Sequence, residues 1–145
     1  MTPQTRAERS AAAMWARDAA SQGLGMVLTQ IGPGCATLTM PVRPDMLNGH
    51  GICHGGYIFT LADSAFAFAC NSYNQLAVAQ SNSITYLAPG QPGDTLTATA
   101  AEVARAGRSG TYDVTVTDGA GSPLALFRGL SRTVKGRHFD EDTTE

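Results

Sequence analysis

Between Asp45 and Asp94 the chain carries one formal charge, Asp63, and it stands inside HGGYIFTLADSAFAFACNSY, where every neighbour able to share its helix is apolar, small or neutral. The segment over residues 54–72 is too long and too rich in Ala and Phe for a strand, so it reads as one helix. A helix apolar nearly all round needs cover nearly all round, and the rest of the chain must supply it. The apolar run within it is too short to span a bilayer and is interrupted by Asp63.

The remaining sequence reads as strands. Residues 26–31 and 36–42 flank Gly32-Pro33-Gly34, a turn between two antiparallel strands. Residues 77–87 and 94–103 are separated by a turn cluster at 88–93, and the second run alternates Thr95, Thr97 and Thr99 with Leu96, Ala98 and Ala100. Tyr112, Val114 and Val116 alternate with Asp113, Thr115 and Thr117 before Asp118-Gly119 and Gly121-Ser122-Pro123 return the chain into residues 124–134. The expected architecture is therefore α+β: a single domain over residues 1–145 in which a curved antiparallel sheet of five to six strands wraps one long central helix. Residues 1–22 read as a short amino-terminal helix laying Ala12, Met14, Trp15 and Ala19 on the body. Glu8 and Asp18 there argue against a signal or transit peptide. Residues 136–145 are acidic and polar enough for a mobile tail.

Composition narrows the function. Ten basic against twelve acidic residues, with no Lys/Arg stripe, argue against a nucleic-acid surface built on phosphate neutralisation. No P-loop or dinucleotide-binding fingerprint is present. Cys35, Cys53 and Cys70 are odd in number and lie in apolar settings, which fits free thiols in the cytoplasm better than a disulfide framework.

A lone carboxylate in an apolar helix is expensive to bury, by several kcal/mol in order of magnitude, unless it is partnered or its pKa rises. A raised pKa also prepares a carboxylate for proton transfer near neutrality. Asp63 is thus either a functional acid/base or a group satisfied by a neighbouring hydroxyl, an amide or a subunit seam. His54-Gly55-Gly56 falls where the helix begins. Glycine there lets a ligand approach free backbone N–H groups at the positive helix end, which suits a developing oxyanion. His50, Cys53 and His54 supply three ligand types within five residues but no distant partner motif, so no metal or cofactor is expected. Cys53 and His54 are adjacent and point apart, which disfavours a thiol nucleophile.

Taken together, Asn48, the glycine-rich approach, His54-Gly55-Gly56 and Asp63 nine residues after the histidine resemble the PaaI-type, phenylacetic-acid-degradation branch of the hotdog-fold thioesterases. The segments ACNSY, SITYLAPG, GDTLTATA, TYDVTV and ALFRGLSR extend the resemblance over nearly the whole chain. It implies that Asp63 is general base or nucleophile on an acyl-CoA thioester, that the Gly55 N–H binds the thioester oxygen, and that Asn48 and His54 organise water and the loop. His54 itself reads as a capping residue as readily as an acid/base. Gly56 is expected at the substrate. For the phosphates of CoA, Arg108 is the leading candidate, with Arg105, Arg128 and Arg132 behind it. Tyr57, Phe59, Phe66 and Phe68 are the aromatic candidates for contact with an acyl group. Phenylacetyl-CoA or a ring-hydroxylated derivative heads the substrates implied by the resemblance. A noncatalytic acyl-CoA sensor and a 3-hydroxyacyl thioester dehydratase stand as the alternatives.

Helix geometry adds an expectation about assembly. Eight or nine residues at about 1.5 Å each put His54 and Gly55 roughly 12 to 14 Å from Asp63 along one helix, too far for one carbonyl to touch both. Two antiparallel helices across a two-fold axis would close that distance. The expected assembly is a homodimer with composite sites, paired again into a homotetramer as in the resembling family.

Overall fold

The computed structural model describes residues 1–141. The chain opens with two short helices, α1 (Pro3–Trp15) and α2 (Ala19–Gly23), where one helix over residues 1–22 was expected. The break has a local cause: Asp18 caps the second helix through its own carboxylate, which accepts from the Ser21 N–H at 2.9 Å. The buried face also differs from expectation. α1 buries Ala7, Ser10 and Ala11, while Ala12 and Ala19 face solvent and Met14 and Trp15 are half-buried.

Strands β1 (Val27–Gly32) and β2 (Cys35–Pro41) form the expected hairpin. A 3-10 turn (Pro44–Met46) and a glycine-rich loop lead into the central helix α3 (Gly55–Cys70). Four strands follow: β3 (Ala77–Tyr86), β4 (Thr95–Ala106), β5 (Ser109–Thr117) and β6 (Pro123–Thr133). They join β1 and β2 in one antiparallel sheet of order β1-β2-β4-β5-β6-β3. β3 does not pair with β4, its successor in sequence. It crosses to the far edge and pairs with β6 alone, leaving one side of its backbone open. Between β4 and β5 the turn is only Gly107-Arg108, with Gly107 at φ +60° taking the conformation a two-residue hairpin needs.

The sheet packs its concave face on α3. Ile58, Leu61, Ala62, Ala65, Phe66 and Ala69 recur at helical spacing and are buried against Leu38, Met40, Leu96, Ala98, Ala100, Val114, Val116 and Phe127. Gly129 is required here, because a Cβ at that position would sit 2.7 Å from the Phe66 ring. The opposite side of α3 is covered less completely than its composition implied. α2 touches it through the Ser21 and Ser64 hydroxyls, 2.8 Å apart, and Trp15 packs on Phe68 with ring centroids at 6.1 Å. Gly56, Thr60, Asp63 and Ala67, which share one helical face, are not fully buried.

At the carboxyl end, residues 136–141 fold back instead of extending as a mobile tail. His138 bonds the Asn71 side chain at 2.8 Å, and Glu141 receives two bonds from Arg6 and one from the Asn74 amide, which together hold its carboxyl down at about 2. The rest of the tail lies outside the described residues.

Candidate active site

The start of α3 is built by its capping residue. His54 has extended backbone angles, and its Nδ1 accepts the Gly56 N–H at 2.9 Å. That bond occupies the Gly56 donor, so Gly56 does not offer its N–H to a ligand as the sequence had indicated. The Gly55 N–H is left without a partner among the described residues. The approach loop is pinned on both sides: the Cys53 N–H donates to the Gly90 carbonyl and the His54 N–H to the Met46 carbonyl, each at 2.8 Å. Within the loop, Asn48 Oδ1 accepts from the N–H groups of His50 (2.9 Å) and Ile52 (3.4 Å), which leaves its side-chain NH2 as a free donor.

Gly55 and Asn48 open on one cleft of about 390 Å³, lined also by Ile52, Cys53, Ile58 and Tyr86. The volume falls at the small end of ligand pockets. Tyr86 was not singled out by sequence. Its hydroxyl donates to the Gly55 carbonyl at 2.8 Å, and its ring and hydroxyl lie 3.1 to 3.3 Å from where a Cβ on Gly55 would stand, so a larger residue there would have to push Tyr86 aside. Tyr86→Phe removes that tether from the first helical residue. We expect a loss of about 1 kcal/mol in stability. We also expect kcat to drop by roughly tenfold with KM little changed, short of the 10²-fold that a 1 Å displacement of a reacting group brings; thermal unfolding and steady-state kinetics check both.

Asp63 is not in this cleft. It lies two turns further along α3 and faces β3, where the Asn82 amide donates to its Oδ1 at 3.2 Å. Burial pushes the Asp63 carboxyl above the usual carboxylate range, and the Asn82 bond pulls it partway back. Asn82 was also missed. The signal was available in the alternation of Asn82, Ile84 and Tyr86 along one face of β3, but a bulge between Ala79 and Ser81 breaks the register upstream and hides the period.

The arginines separate. Arg108 sits in the β4–β5 turn beside the end of β6, at the opposite end of the sheet from the Gly55 cleft. Arg105 is engaged, with its guanidinium 3.6 Å over the Tyr73 ring and 3.3 Å from Glu102. Arg128 is bound by Asp113 through two bonds of 2.6 and 2.8 Å. The aromatics separate as well. Phe66 and Phe68 are core residues, whereas Tyr57 and Phe59 are half-buried, with Tyr57 edge-on to the His54 ring at 6.2 Å. Burial pushes the Cys53 thiol up, away from thiolate character. No cluster of three His, Cys, Asp or Glu side chains forms among the described residues, and no described helix is long and apolar enough to cross a membrane.

A long helix cradled by a six-stranded antiparallel sheet, with an unpaired backbone donor at the helix start, is the hotdog architecture. The family model described as the thioesterase superfamily matches residues 50–125, and the chain belongs to that superfamily. Among its relatives, the acyl-coenzyme A thioesterase PaaI of Escherichia coli is 44% identical over 131 residues, which is 90% of this chain and 94% of the relative. The solved structure of Escherichia coli PaaI, from the phenylacetic acid degradation operon, superposes with a TM-score of 0.92 at 43% identity, covering 94% of this chain and 99% of that one. A Streptococcus mutans protein solved with acetyl-CoA bound superposes with a TM-score of 0.74 at 31% identity, covering 77% of this chain and 90% of the other.

Proposed function

We propose that this thioesterase hydrolyses acyl-CoA, with phenylacetyl-CoA, its ring-hydroxylated derivatives and similar aromatic or medium-chain acyl-CoAs as substrates, and that each active site is shared by two copies of the chain. The observation that carries the reading is the separation within one chain. The donor Gly55 opens on the cleft with Asn48, while the only carboxylate of the helix faces β3 two turns away. One thioester carbonyl needs a donor on its oxygen and a base beside its carbon, so a single copy holds two halves of different sites.

Three features support a partner copy. β3 is an edge strand of ten residues without a charge or a proline, the kind of edge that pairs unless it is blunted. The Gly56, Thr60, Asp63 and Ala67 face of α3 is incompletely covered and made of small residues, which lets a second helix approach. Tyr86 and Leu87, at the end of the open edge, are about half exposed, at 48% and 52%. With the helices antiparallel, Gly55 of one copy meets Asp63 of the other; a pairing of such dimers gives the tetramer.

In this site the thioester oxygen takes the Gly55 N–H, and the negative charge that develops there is stabilised by a donor worth roughly 3 kcal/mol. Asp63 acts on the carbonyl carbon as base or nucleophile, the Asn48 NH2 holds water, and His54 acts by shaping the helix start. Arg108 reaches CoA phosphates only if the partner copy brings its β4–β5 turn to the cleft. Tyr57 and Phe59 are the aromatic surface left for the acyl group. Cys35, Cys53 and Cys70 are unpaired, which suits the reducing cytoplasm. A panel of acyl-CoAs read by thiol release tests the substrate class. Arylacetyl-CoAs are expected at the head of the kcat/KM ranking; a flat profile, or a preference for long aliphatic chains, contradicts the aromatic assignment.

A further inference from the structure

The inward row of β3 meets α3 at two places. Tyr86 bonds the helix start, and Asn82 bonds Asp63. A carboxylate only accepts hydrogen bonds, so the Asn82 amide gives its NH2 to one oxygen of Asp63 and keeps its own oxygen as an acceptor. That oxygen is buried and has no partner. Among the described residues it shares this condition only with the Ser10 hydroxyl, which belongs to α1. Leaving a buried acceptor unmet costs about 1 to 3 kcal/mol, so a carboxamide held this way beside a carboxylate calls for a ligand that donates. The second oxygen of Asp63 is also unpartnered. Two free acceptors on neighbouring groups match the two protons of one water molecule.

We propose that Asn82 is a further catalytic residue, whose carboxamide holds the attacking water between its own oxygen and the free oxygen of Asp63. The proposal rests on the reading of Asp63 as the acidic residue of the site and makes that residue a general base, not a nucleophile. With both protons of the water engaged, its lone pair is directed at the thioester carbon. The water oxygen forms the new C–O bond, one proton passes to Asp63, and the carbonyl electrons move onto the oxygen bound by Gly55. Collapse of this intermediate breaks the C–S bond, and the leaving thiolate recovers the proton from Asp63. The products are the free acid and CoA, with no other reactant.

Asn82 also lowers the Asp63 pKa, and the two roles are separable by pH. Removing the amide raises the pKa of the base, so the acid limb of kcat/KM should move to higher pH in Asn82→Ala. If tuning were the whole role, kcat would return to the parent value on the alkaline plateau. If Asn82 holds the water, plateau kcat should stay about 10- to 100-fold low with KM within about twofold, the scale of a misplaced proton-transfer partner. Asn82→Ser, whose hydroxyl supplies a shorter acceptor on a strand that already carries Ser81 and Ser83, should recover part of the loss. Both variants are compared at matched unfolding temperature and elution volume, and the serine variant carries the test if alanine disturbs the edge strand. Plateau kcat equal to the parent overturns the proposal. Asp63→Asn, assayed beside them, separates the two readings: if it is inactive while the Asn82 variants reach the parent plateau, only the Asn82 role fails, and if it is active the assignment of Asp63 itself fails.

Discussion

Asp63→Asn should lower kcat by on the order of 10³-fold or more, within the 10²- to 10⁴-fold range of a lost general base, while raising the unfolding temperature at neutral pH. The loss of rate follows because an amide keeps the volume and the bond geometry but neither takes up a proton nor attacks a carbonyl. The gain in stability follows from linkage. Burial raises the folded-state pKa of Asp63, so the fold favours its protonated form. The stabilisation that this contributes is complete below the unfolded pKa and is lost as pH rises through the folded one. At neutral pH the ionised carboxylate is therefore a burden on the fold, and the amide removes it. The difference in unfolding temperature should narrow as pH falls through the raised folded-state pKa and close below the ordinary aspartate value, where the folded and unfolded parent are both protonated. Thermal unfolding across pH beside thiol-release kinetics reads both effects. A variant at once inactive and less stable would mean that Asp63 is a structural carboxylate after all.

Mixed assemblies should recover activity that neither parent shows. Gly55→Ala places a Cβ 3.1 Å from the Tyr86 ring, so the ring or the helix start must give way, displacing the N–H that faces the cleft. Asp63→Ala removes the carboxylate proposed as the base. Each alone should be inactive. Co-expressed under random pairing, about half of the dimers are mixed, and each mixed dimer carries one site with both defects and one with neither, so roughly a quarter of wild-type activity should return. Differently tagged chains allow the mixed species to be isolated before assay, where about half of wild-type activity per dimer is the expected value. Verified mixed dimers without activity would show that Gly55 and Asp63 do not work in a shared site.

Much of this was legible in the residues because the signals are local. The periodicities of α3 and of the strands, the turn glycines, and a lone carboxylate in an apolar helix each state their meaning within a few residues. His54 at the head of a Gly-Gly pair marked the helix start, and the cap lies there. Helix rise alone, at about 1.5 Å per residue, separated Gly55 from Asp63 before any fold was known. The sequence by itself thus determined the class of fold and the distance that separates Gly55 from Asp63 along one helix.

What only the tertiary structure decided depends on contacts between distant segments. That β3 leaves its neighbour β4 for the far edge beside β6 is a matter of sheet closure over α3, and no pattern within β3 encodes it. That placement brings Asn82 to Asp63 and Tyr86 to Gly55, pairs 19 and 31 residues apart in the chain, and so creates the two contacts that sequence did not reveal. The same holds for the donors at the helix start. Both glycines offer an N–H in the sequence, but the rotamer of His54 takes one and leaves the other. Local periodicity fixes which elements form; which side chains meet is fixed by the packing of the whole sheet, because a hydrogen bond is decided by a few tenths of an ångström that only assembled elements define.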